Sequence, residues 1–124
     1  MKYKTEKIAG LEILKSLIQG TFNQKTRKKH YKETITEINK PGYHRLILDV
    51  SKSVLSKQFT TADSLDLIKY FQTIEINKHL KIAFIGNHKE LTHKAFVNLF
   101  QVLGTKHIKH FKDQAEAVSW LLEK

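Results

Sequence analysis

Cysteine is missing from this chain, proline occurs once, and acidic residues are outnumbered by basic ones, 12 to 22. The missing thiols exclude disulfides and thiolate chemistry and are compatible with an intracellular setting. The five glycines, Gly10, Gly20, Gly42, Gly86 and Gly104, are scattered at expected turns. They form neither a G-x-G-x-x-G nor a G-x-x-x-x-G-K phosphate loop, and there is no G-x-S-x-G nucleophile elbow. No apolar run approaches the roughly 18 residues of a membrane span. The start, Met-Lys-Tyr-Lys-Thr-Glu-Lys, is charged and lacks the apolar stretch of a signal peptide. A soluble, cytoplasmic protein is the expectation.

What is present describes a globular protein. Hydrophobic residues make up 40% and charged residues 27% of the 124 positions, a balance that supports a core rather than disorder. The length suits one domain over residues 1–124, and no internal repeat or linker divides it. A formal charge of +10 implies attraction to anions such as nucleic acid, acidic lipid or acidic protein, although a general solubility bias produces the same excess.

The chain is organised around Arg45-Leu-Ile-Leu-Asp-Val-Ser-Lys-Ser53. Leu46, Ile47, Leu48 and Val50 do not alternate with polar residues, so both faces of this strand are apolar, as in a central parallel strand. Lys81-Ile-Ala-Phe-Ile-Gly86 reads the same way. Tyr3–Ile8 and Leu11–Ile18 read as a hairpin around Ala9-Gly10, with Gly20-Thr21 breaking the second strand. Asn23 caps a helix that runs to Asn39, where Lys40-Pro41-Gly42 forbids continuation. Ser51–Phe59 reads as a polar connection, Thr60 as the cap of the next helix, and Glu90–Leu103 as a third helix closed by Gly104. His107–Phe111 is a short last strand, and Asp113 with Glu116 spells a capping box for a final helix. The resulting order, ββαβαβαβα, predicts an α/β fold with a mixed, mostly parallel sheet. Crossovers in sequence order would gather the helices on one face, leaving the other for a hairpin, a second chain or a ligand.

Open α/β sheets bind ligands at the carboxyl ends of their strands. That places Ser51, Ser53, Asn87, His88 and Asp113 on the candidate binding rim, where loop and cap chemistry would use the same residue types. Ser53, His88 and Asp113 do not have the spacing of a hydrolase triad, so an enzyme is not expected. His44-Arg45, Lys78-His79-Lys81 and Lys106-His107-Lys109 lie at strand starts and would make the opposite rim basic. The densest basic cluster, Lys25, Arg27, Lys28, Lys29 and Lys32, has only Tyr31 as an interleaved aromatic, more a solvated helix surface than a nucleic-acid face. His107 and His110, three apart on a strand, face opposite ways, and His88 and His93 are also poorly spaced. No metal and no cofactor is expected.

Arg45–Ser51, Lys81–Ile85 and above all Phe111-x-Asp113-x-x-x-Ala117-x-x-Trp120-Leu121 resemble the SpoIIAA-like branch of the STAS superfamily. That resemblance implies successive strand–helix units related to the lipid-binding CRAL-TRIO fold, in a non-enzymatic domain that binds proteins or small ligands. Anti-sigma-factor antagonists of this superfamily carry Asp-Ser-Ser-Gly-Leu at a helix start, with a serine that a partner kinase phosphorylates. Here the neighbourhood reads Asp63-Ser64-Leu65-Asp66, without the second serine or the glycine. Ser64 is the candidate regulatory serine, but Asp66 would repel a phosphate on it. The expected partner is a protein, or a second copy in a homodimer. The alternatives are a carrier of an acidic or lipid-like ligand and a binder of nucleic acid.

Overall fold

The computed structural model describes residues 2–8, 10–55, 62–63, 65–66, 69–70, 80–86 and 107–123. Its elements are β1 (Lys2–Ile8), β2 (Ile13–Phe22), α1 (Gln24–Asn39), β3 (Arg45–Leu55), β4 (Lys81–Ile85), β5 (Ile108–Phe111) and α2 (Gln114–Leu121). The five strands form one sheet in the order β1-β2-β3-β4-β5. β1 is antiparallel to β2, and the remaining pairs are parallel. Residues 62, 63, 65, 66, 69 and 70 are helical, where a helix is expected. Thr60, the segment Glu90–Leu103 and Gly104 lie outside the described residues.

β3 is central, as its double-sided apolar pattern predicts. Leu48 pairs with Phe84 and Ile47 with Ala83, on parallel strands. Leu46, Leu48 and Val50 point to the face covered by α1, where Tyr31, Ile35 and Ile38 complete the cluster with Leu14, Ile18, Ile82 and Phe84. Ile47 points the other way, with Ile13, Ala83 and Ile85. Each such side chain, once buried, stabilises the fold by about 1.5–3 kcal/mol.

The sheet is longer than its sequence pattern suggests. β2 continues through Gly20-Thr21, the expected break, and β3 continues through the expected connection to Leu55. The two extensions pair with each other, Gln19 with Lys52, Gly20 with Ser53 and Phe22 with Leu55. Gly20 supplies the left-handed backbone needed there, at φ 92°. A register shift between Leu17 and Gln19 leaves Val50 and Ser51 together opposite Ile18, a β-bulge beside the strand's only carboxylate.

The second apolar face needs no external cover over β3 and β4. α2 lies on it, with Ala117 and Leu121 buried and Val118 and Trp120 packed at the margin. Among the described residues α2 is not the connection between two parallel strands of the sheet, so the crossover rule does not commit it to the α1 face. Its last carbonyls, which a helix leaves unpaired, are held by the first residues of two strands. Arg45 Nε donates to Leu121 O at 3.0 Å, and Lys81 Nζ donates to Trp120 O at 3.3 Å and Glu123 O at 3.1 Å. Cations at a helix C-terminus also oppose its dipole, and the Lys81 ammonium lies 5.0 Å from the Trp120 ring centroid.

α1 begins as expected. The Asn23 side chain accepts from Thr26 N at 3.0 Å, and Asn23 N donates to Thr26 Oγ1 at 3.0 Å, a reciprocal cap. The inner side of α1 is less apolar than a stripe of Tyr31, Ile35 and Ile38 implies. Arg27, His30 and Thr34 are also buried. Arg27 Nε donates to the Tyr31 hydroxyl at 2.7 Å, and its guanidinium stacks over the Tyr31 ring at 5.0 Å. His30 Nε2 lies 2.9 Å from Ser16 Oγ, and the ring meets Tyr3 edge-on at 4.8 Å. Burial, helped by the Arg27 charge, holds the His30 pKa down to about 3, so the imidazole is neutral. Burial raises the Tyr31 pKa, against the opposing influence of Arg27.

Two outcomes follow from these interior contacts. Unfolded His30 takes up a proton near the ordinary value of about 6.5, whereas the folded ring does so only near 3. The neutral ring's contribution is complete above pH 6.5 and is lost as pH falls toward 3, at about 1.4 kcal/mol per pH unit. Urea midpoints measured between pH 7.5 and 5 will decline in the wild type and decline less steeply in His30→Gln; equal slopes would refute this. The Arg45→Met/Lys81→Met double variant will lose about 1–2 kcal/mol and shift the emission of the single tryptophan, Trp120, to the red as α2 loosens. An unchanged midpoint and spectrum would remove these residues as the clamp on α2.

Candidate functional site

The carboxyl ends of the parallel strands carry a polar ledge on the α2 side of the sheet. Asp49 is the last β3 residue opposite β4, paired with Ile85. Its Oδ1 accepts from the Ser51 amide at 3.0 Å and from the Ser51 hydroxyl at 2.6 Å, which fixes the bulged backbone. Its Oδ2 lies 3.8 Å from Lys15 Nζ, which donates to Gln114 Oε1 at 2.6 Å. Gln114 follows Asp113, whose side chain caps α2 by accepting from Glu116 N at 2.9 Å. One chain of polar contacts thus runs from Ser51 through Asp49 and Lys15 to Gln114, the residue next to Asp113 in sequence.

The candidate rim residues separate into distinct environments. Ser51 and Asp113 are exposed. Ser53 is buried, and its hydroxyl donates to Val50 O at 2.9 Å, so it shapes the strand end and presents nothing to solvent. Asn87, His88 and Ser64 lie outside the described residues. Asp66, two positions after Ser64, contacts Lys28 Nζ at 2.6 Å. Lys15 and Gln114 have no place in the sequence-based rim. Lys15 does interrupt the apolar face of β2 between Ile13 and Leu17, and that interruption is the signal that points to it. Gln114 carries no such mark.

The basic cluster on α1 is divided in the same way. Arg27 belongs to the core, and Lys28 is half-buried between Asp66 and the Tyr70 ring, 5.3 Å away. Lys25, Lys29 and Lys32 remain exposed on the outer side. On the basic rim at the strand starts, Arg45 and Lys81 are committed to the end of α2, while His44 and His107 are both exposed. At the carboxyl end of β4, Gly86 is closely approached by His110: a Cβ there would lie 2.7 Å from His110 Nε2. Among the described residues no three His, Asp or Glu side chains come together as metal ligands, and no helix is long and apolar enough to cross a membrane.

No family model and no curated protein matches the chain in sequence. Solved structures do match. A Shewanella loihica PV-4 protein of the DUF3478 family with a SpoIIAA-like fold superposes at TM-score 0.60 and 19% identity, covering 97% of this chain and 92% of that one. An anti-sigma factor antagonist from Mycobacterium paratuberculosis gives TM-score 0.63 at 10% identity, covering 98% and 96%. The Bacillus cell fate determinant SpoIIAA in its phosphorylated form gives TM-score 0.53 at 12% identity, covering 96% and 98%. Likeness at such identities concerns the backbone, and with the sheet described above it assigns the chain a SpoIIAA-like fold.

Proposed function

We propose that this protein is a non-enzymatic, STAS-like regulatory domain that acts by binding another protein at the ledge around Ser51 and Asp113, with Asn87 and His88 as further contacts. The observation that carries this reading is the chain of contacts through Asp49, Lys15 and Gln114. It runs from the exposed Ser51 hydroxyl to Gln114, beside the exposed carboxylate of Asp113, at the carboxyl ends of the strands, where open α/β sheets meet their ligands. The fold is shared with proteins described as anti-sigma factor antagonists, which favours a regulatory partner. The ledge hydroxyls serve backbone geometry: Ser51 donates to a carboxylate, Ser53 to a carbonyl. A phospho-switch at Ser64 is not part of the reading, because an added phosphate would stand close to Asp66 in sequence.

Native mass spectrometry of the protein isolated from its source at moderate salt tests this. A stoichiometric complex with one protein is expected. Its affinity will fall about tenfold or more in Ser51→Arg/Lys52→Glu and stay unchanged in Ser64→Ala. A bare chain retaining an apolar molecule would establish the carrier instead, and retained nucleic acid with a steep salt dependence would establish the nucleic-acid binder.

A further inference from the structure

β1 is an edge. Its inner side pairs with β2 from Lys2 to Ile8, and no strand among the described residues pairs with its outer side. Beside that edge runs a cleft of about 530 Å³ between β1 and α1, with Tyr3 and Thr5 on the strand side and Lys29 and Lys32 on the helix side. Through Thr5 and Glu37 it continues into a second cleft of about 370 Å³ toward Lys7 and Lys40. An edge strand with a groove alongside is the geometry that accepts an added strand: main-chain hydrogen bonds supply affinity, and alternate side chains enter the groove.

The charges choose the occupant. Lys2, Lys4 and Lys7 are exposed along β1, and Lys29 and Lys32 line the facing helix. Glu37 is offset by Lys40, whose Nζ lies 2.9 Å from it, which leaves Glu6 and Glu33 as the nearby acids. Lysines on an edge deter pairing with a like-charged strand, and a second copy of a +10 chain brings the same lysines. Those charges are complementary to an acidic strand. Resting on the reading of this chain as a protein-binding domain, we infer that the β1 edge and the β1–α1 groove form a second docking surface, for an extended acidic segment of a partner protein added in β-sheet register.

The probe is an end-blocked peptide of about eight residues alternating glutamate and valine, a typical strand length. Its counterpart has lysine in place of glutamate. Fluorescence anisotropy reports affinity, and hydrogen exchange reports protection of the amides of residues 2–8. The glutamate peptide is expected to bind, to slow exchange in β1, and to lose about tenfold or more in affinity to Lys29→Glu/Lys32→Glu. The urea midpoint of that variant, both substitutions being exposed, should match the wild type. Equal binding of the lysine peptide, unaltered affinity in the charge-reversed variant, no binding, or binding without protection of β1 would each overturn the inference. So would a single-stranded thymidine oligonucleotide that binds more tightly than the peptide and loses affinity in the same variant, since the surface would then belong to nucleic acid. None of these outcomes touches the ledge, which is read separately through Ser51→Arg/Lys52→Glu.

Discussion

The structure depends on β3 being buried on both faces and paired on both sides. A strand in that position has no water to satisfy its backbone, so every amide and carbonyl must find β2 or β4. Its side chains must be apolar in both directions. Leu46, Ile47, Leu48 and Val50 meet that requirement, and β4 repeats it with Ile82, Ala83, Phe84 and Ile85. The requirement relaxes beyond Asp49, where β4 has ended and only β2 continues alongside. The bulge, the Asp49–Ser51 contacts and the ledge all occur at that point. The candidate site is therefore the place where the central strand ceases to be central.

Charge in this protein serves two purposes that composition cannot separate. Arg27, Arg45 and Lys81 make interior or half-buried contacts, with a phenol and with helix carbonyls, and Lys15 reaches a carboxamide at the surface. Each is fixed by partners far along the fold or one turn away on the same helix. Lys25, Lys29, Lys32 and the lysines of β1 are held by no such network and create the surface potential. Lys15 and Lys28 lie against Asp49 and Asp66, which offset their charge, whereas Arg27, Arg45 and Lys81 bond neutral groups and keep theirs.

The parallel centre, the leading hairpin, the extent of α1 and the cap of the last helix were legible in the chain, because each is set by residues adjacent in sequence or by one element's own periodicity. Asn23 and Thr26 are three apart, and so are Asp113 and Glu116. The extensions of β2 and β3 were illegible for the opposite reason. Gly20-Thr21 and Ser51-Lys52-Ser53 each read locally as an interruption, and only pairing with the other makes either a strand. The same holds for the site. Asp49 and Ser51 stand out beside an apolar run, whereas Gln114 becomes a neighbour of Lys15 only through the placing of α2, 99 positions away. The placing itself, on the face opposite α1, rests on the packing of Ala117 and Leu121 against Ile13, Ile47, Ala83 and Ile85, which the periodicity of α2 does not register.

That placing has a consequence for biosynthesis. Synthesis runs from the N-terminus, and a domain folds as a unit once its segments are all available. Ile13, Ile47, Ala83 and Ile85 are all made before the helix that shelters them, and Ala117 and Leu121 emerge after the rest of that face has been made. Until then Ile13, Ile47, Ala83 and Ile85 lack the greasy cover that Ala117 and Leu121 supply. Chaperone engagement or clumping would accordingly concentrate in chains whose residues 117–121 have not yet docked on the sheet.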